Sequence, residues 1–96
     1  MGLLEGKVAV VTGTSRGLGL AIAKAYAQQG ASVVLSSRTL TAVDQAVAGL
    51  RQKGFSAVGL VCDTANPAQV EVLADLAETS FGALDIWVNN AGTGAP

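Results

Sequence analysis

The stretch Thr12-Gly13-Thr14-Ser15-Arg16-Gly17-Leu18-Gly19 constrains this chain more than any other. An apolar run, Val8-Ala9-Val10-Val11, precedes it and a helix-like segment follows, so it reads as the turn from a buried strand into a helix. Gly13 permits a tight turn, Gly17 leaves bare backbone for a ligand to approach, and Gly19 lets the helix lie close to the strand. The first helical N–H groups and the helix dipole then face any anion above the turn, which is where a phosphate would sit. The spacing is Gly-x-x-x-Gly-x-Gly, one residue longer than Gly-x-Gly-x-x-Gly, and no Gly-Lys-Ser/Thr follows, so it is not a kinase-type phosphate loop.

Beyond the turn the chain alternates strand and helix. Lys7 to Thr12 reads as the first strand and Leu18 to Gln29 as the first helix, with Leu18, Ile22 and Tyr26 on one stripe, Lys24 and Gln28 paired on the other, and Gly30 as the stop. Ala31 to Ser36 is a second strand, and Ser37-Arg38 leads into a helix whose stripe is Leu40, Val43, Val47 and Leu50. Thr39, or Thr41 with Asp44 three residues on, serves as its cap, and Gly54 ends it. Phe55 to Cys62 is a third strand. Asn66-Pro67 then supplies a cap and a first-turn proline for a third helix running to about Ser80. In that helix Glu71, Asp75 and Glu78 share one face, Val70, Leu73, Ala74 and Ala77 form another, and Val72 and Leu76 widen the apolar surface. Leu84 to Val88 is a fourth strand, ending in Asn89-Asn90-Ala91-Gly92.

This order predicts a parallel sheet with right-handed crossovers, and no linker, repeat or low-complexity segment interrupts it. In such a sheet the loops after Thr12, Ser36, Cys62 and Asn89 open onto one crevice, so Arg16, Arg38, Asp63 and Asn90, scattered in sequence, converge at one edge. Ninety-six residues make a single domain. Half of them are apolar, and a domain of this size buries only some ~60–70% of its surface, so the chain is expected to self-associate.

Composition excludes several function classes. The net charge is −1 and the six basic residues are dispersed, so neither nucleic acid nor an anionic membrane is an expected partner. No apolar run reaches the ~18 residues of a membrane span, and Met1 to Lys7 lacks a signal pattern, so a cytoplasmic protein is expected. The single cysteine, Cys62, reads as a buried, inert thiol, and with no histidine a structural zinc site is excluded.

Taken together, Thr12 to Gly19, Asp63 after the third strand and Asn89-Asn90-Ala91-Gly92 after the fourth resemble the N-terminal half of a classical short-chain dehydrogenase/reductase, over essentially the whole chain. The resemblance implies an α/β partial Rossmann fold, βαβαβαβ, with four parallel strands in the order 3-2-1-4. The first two helices would lie on one face and the third on the other. It further implies that Gly13, Ser15, Arg16, Gly17, Leu18 and Gly19 hold the pyrophosphate of a nicotinamide dinucleotide. Asp63, with Thr64 beside it, would meet the adenine amino group, and Asn90, Ala91 and Gly92 would border the adenine-side ribose.

Cofactor choice follows from charge. NAD-preferring enzymes place an acid at the end of the second strand. Here Ser37 and Arg38 stand there, able to donate to a 2′-phosphate and to pair with it bidentately, and Arg16 can reach it from the turn, so NADP(H) is the expected cofactor. The family's catalytic Ser, Tyr-x-x-x-Lys and Asn lie beyond Gly92. The only tyrosine, Tyr26, is a packing residue followed four positions later by Gly30 rather than lysine. The 96 residues alone are therefore expected to bind cofactor without catalysing hydride transfer, because the lysine that lowers the tyrosine pKa is absent. Two alternatives are one part of a split oxidoreductase and a self-assembling scaffold with a vestigial site. A dimer through the open edge of the fourth strand or the bare sheet face is the expected association.

Overall fold

A computed structural model describes residues 2–14 and 17–90. Seven elements follow one another: β1 (Val8–Val11), α1 (Gly17–Gln28), β2 (Ser32–Ser37), α2 (Leu40–Gln52), β3 (Ala57–Val61), α3 (Pro67–Phe81) and β4 (Ile86–Val88). The strands form one sheet in the order β3-β2-β1-β4, and every pairing is parallel. Val11 stands opposite Leu35 on one side and Val88 on the other, so β1 is an interior strand. All four of its residues are buried, as a continuous valine-rich run demands when helices cover both faces.

Strand alternation divides the core in two. Ala9, Val11, Val33 and Leu35 point toward α1 and α2, where Ala23, Ala27, Val43, Ala46 and Leu50 meet them. Val8, Val10 and Val34 point the other way, toward Leu73 and Ala77 of α3. Two helices thus cover one face and one the other, the arrangement expected from the resemblance.

The helical stripes differ from the sequence reading at their first turns. Ile22, Tyr26, Val43, Val47 and Leu50 pack as expected, but Leu18 is 68% and Leu40 61% exposed. Both stand in the first turn of a helix that begins at the carboxyl edge of the sheet. A helical Cβ leans toward the helix N-terminus, which carries these side chains past the sheet instead of onto it. In α1 the buried positions are Gly19, Ala23 and Ala27, small residues that let the helix approach the strands. Lys24, on the outer face, stands beside Lys53, whose pKa it holds below the ordinary lysine value.

The ends of the elements follow local chemistry. Asn66 caps α3, its Oδ1 accepting from the N–H groups of Ala68 at 3.0 Å and Gln69 at 3.3 Å, and Pro67 takes the first helical position. Gly82, at φ +79°, ends the helix. Thr39 is the N-cap of α2 by position but makes no side-chain cap bond, and Thr41 lies inside the helix. Val72, on α3, is more than half exposed, and among the described residues no other helix packs on that face of the sheet.

Candidate functional site

β1 ends in a turn that is held from both flanks. Gly13 has φ +69°, a conformation that a side chain disfavours, and it sends the chain away from the strand line. On the β4 side, Asn90 Nδ2 donates to the Gly13 carbonyl at 3.2 Å. Thr12 is tied to the same segment, its N–H donating to Val88 O at 3.0 Å and its Oγ1 to Asn89 Oδ1 at 3.2 Å. On the β2 side, Thr14 donates to Ser36 O through both its N–H and its Oγ1, each at 3.0 Å.

The two later glycines differ in what surrounds them. Gly17, at φ +67°, opens α1, and a Cβ placed there would meet nothing within 4 Å among the described residues. Gly19 is buried, and a Cβ there would run into the Gly13 carbonyl and Asn90 Nδ2. One glycine therefore leaves open backbone over the helix N-terminus, while the other permits close packing beneath it. The first turn of α1 carries no acidic residue. Leu18 is exposed beside this opening, and Ser15, Arg16, Ala91 and Gly92 lie outside the described residues.

A second group gathers at the carboxyl ends of β2 and β3. Arg38, Val61, Asp63 and Gln69 line a hollow of about 380 Å³. Ser37 is buried at 6% exposure, its Oγ accepting from the Thr39 N–H at 3.3 Å, which leaves Arg38 as the exposed side chain of the pair. Asp63 Oδ1 accepts from the Ala65 N–H at 3.0 Å, and the Asp63 N–H donates to Gln69 Oε1 at 2.7 Å. Thr64, next in the chain, is half-buried. Of the four residues expected to converge, Arg38 and Asp63 share this hollow, Asn90 belongs to the turn, and Arg16 lies outside the described residues; the Thr14–Ser36 bonds join the two groups. A larger hollow of about 580 Å³, running from Asp44 to Arg51 and Gly59, shares no residue with either.

Three contacts escaped the sequence reading. Gln69 carried a signal, since Asn66-x-x-Gln69 has capping-box spacing; its amide, however, reaches back to Asp63 rather than to the cap residue. The Thr14 and Asn89 contacts join residues 22 and 77 positions apart and had none. Cys62 is buried as expected, and burial, with the Asp63 carboxylate beside it, pushes its thiol pKa up. Among the described residues no three His, Cys, Asp or Glu side chains gather as a metal site, and no helix is long and apolar enough to cross a membrane.

Comparison with known proteins converges on one group. The family model for short chain dehydrogenase matches residues 7–96. The short-chain dehydrogenase/reductase SDRA of Arabidopsis thaliana is 44% identical over 88 residues, covering 92% of this chain and 35% of that protein. The 7alpha-hydroxysteroid dehydrogenase of Escherichia coli is 41% identical over 93 residues, covering 97% and 36%. Among solved structures, a hydroxysteroid dehydrogenase from Escherichia coli superposes with TM-score 0.86 at 38% identity, covering 90% of this chain and 36% of that one. A variant actinorhodin polyketide ketoreductase with NADPH gives TM-score 0.85 at 31% identity, covering 94% and 34%. The chain thus spans about a third of the length of the relatives it matches.

Proposed function

Because the chain belongs to the short-chain dehydrogenase family, we propose that it forms the NADP(H)-binding half-site of an oxidoreductase acting on alcohols or carbonyls. The observation that carries this reading is Gly17: open backbone at a left-handed φ, at the start of a helix with no acidic residue in its first turn. A pyrophosphate fits that cradle, because the helix N–H groups attract it and no carboxylate opposes it. Gly13, Ser15, Arg16, Leu18 and Gly19 complete the turn in this reading, with Asp63 and Thr64 at the adenine and Asn90, Ala91 and Gly92 at its ribose.

Preference for the phosphorylated cofactor rests on Arg38. In this reading Ser37 occupies the position where an NAD enzyme would carry an acid, and the exposed guanidinium of Arg38 beside it pairs bidentately with the 2′-phosphate. The NADPH of the ketoreductase neighbour agrees with this choice. When bound, the nicotinamide supplies or accepts a hydride. The residues of this chain bind and orient that cofactor, while the proton chemistry belongs to the family's Tyr-x-x-x-Lys. Tyr26 does not serve there, since it packs against the α1–α2 core with Gly30 four residues on.

Calorimetric titration of folded protein at low salt tests the reading. Both nucleotides are expected to bind, NADPH more tightly, and joint exchange of Ser37→Asp and Arg38→Leu is expected to shift the affinity ratio toward NADH by about tenfold. Binding of neither nucleotide would overturn the reading in favour of a scaffold with a vestigial site. An unchanged ratio would overturn the phosphate assignment alone.

A further inference from the structure

Thr14 is not among the glycines that define the turn, yet it is the residue that binds the turn to β2. A backbone N–H alone would give any residue at this position one bond to Ser36 O. Thr14 makes two, at 3.0 Å each, and its side chain is wholly buried in doing so. With Asn90 holding the Gly13 carbonyl at 3.2 Å, the turn is strung between the two neighbours of β1. The acceptor on the β2 side is the residue directly before Ser37 and Arg38. One buried hydroxyl therefore links the phosphate turn to the strand end where the two nicotinamide cofactors differ.

We propose that Thr14 is a positioning residue that fixes the spacing between the glycine-rich turn and the carboxyl end of β2, and thereby sets the preference for NADPH over NADH. The inference rests on the cofactor reading above. A dinucleotide bearing a 2′-phosphate engages both places at once, and a preset spacing removes the cost of ordering one relative to the other. A dinucleotide without that phosphate relies on the turn and gains little from the link. Valine copies the shape of threonine and cannot donate, so it loosens the link without opening a cavity.

The test is titration of Thr14→Val, Thr14→Ala and Thr14→Ser with NADPH and with NADH, alongside thermal unfolding of each variant. Valine is expected to weaken NADPH about fivefold and NADH less than twofold, which lowers the preference ratio. Serine, which keeps the hydroxyl, is expected to keep the wild-type ratio. Alanine reads the same loss should the valine variant not fold. A role in stability alone would lower the unfolding temperature and weaken both nucleotides by one factor. That outcome, or a serine variant that behaves like valine, overturns the inference and leaves the cofactor reading standing. A folded wild type that binds neither nucleotide removes the cofactor reading and this inference with it, whereas one that binds both equally removes the NADPH preference and this inference but leaves the dinucleotide site.

Discussion

A Cβ built at Gly19 meets the Gly13 carbonyl oxygen and, at 2.6 Å, Asn90 Nδ2. Both are fixed, since the same amide donates to the same carbonyl. Gly19→Ala must therefore break that bond or lift α1 off the turn, and overpacking of this kind costs about 1–3 kcal/mol. Urea unfolding of the variant is expected to show that loss, with nucleotide binding weakened as well. Gly17→Ala serves as the comparison: among the described residues it meets no neighbour, so the penalty of its positive φ, about 1 kcal/mol, is the loss expected. Equal losses at the two positions would show that packing against Asn90 is not what requires Gly19. The distinction was legible in the sequence, because three glycines between a valine run and a helix leave few roles to assign. The Thr14 clamp was not, because its acceptor stands 22 residues away and threonine in a turn carries no mark of its partner.

At the scale of elements, existence was easier to read than boundary. The alternation of valine runs with helical stripes located all seven elements, but β4 contracts from Leu84–Val88 to Ile86–Val88 and β3 from Phe55–Cys62 to Ala57–Val61. Strand ends are decided by where a neighbour stops offering ladder partners, which no local pattern states. Helix ends were better marked where a side chain does the work. Asn66 accepts from two first-turn N–H groups of α3, so Asn66→Ala is expected to destabilise the protein by about 1 kcal/mol in urea unfolding, with Asn66→Asp close to wild type. A neutral alanine variant would show that Pro67 and Gln69 alone hold that helix end. Leu18 and Leu40 mark the opposite case. The 3.6-residue period placed them on the core stripe, but their position in the first turn carries them beyond the sheet edge.

For the molecule as a whole, coverage is uneven. One sheet face carries two helices and the other carries α3 alone, and among the described residues β4 has β1 as its sole strand neighbour. Ile86, Trp87 and Val88 are half-buried, and the free side of β4 presents backbone groups that a further strand could pair. We expect the 9.6 kDa chain to associate through this edge, so its weight-average mass in sedimentation velocity should rise toward that of a dimer across the micromolar range. A constant monomer mass over that range would rule the association out.

The attachment of β4 also bears on the order in which the sheet closes. At its foot, Asp85 takes the Val8 N–H on its carboxylate at 2.9 Å and donates its own N–H to Val8 O at 2.9 Å. These two residues are 77 positions apart, whereas Val8 finds its β2 partner, Ser32, after only 24. Loop-closure entropy rises with the logarithm of that separation, so joining β1 to β4 costs about 1 kcal/mol more than joining β1 to β2. During synthesis β1 can pair with β2 long before its other flank has a partner. The strand at the centre of the sheet is thus completed by the one that emerges fourth.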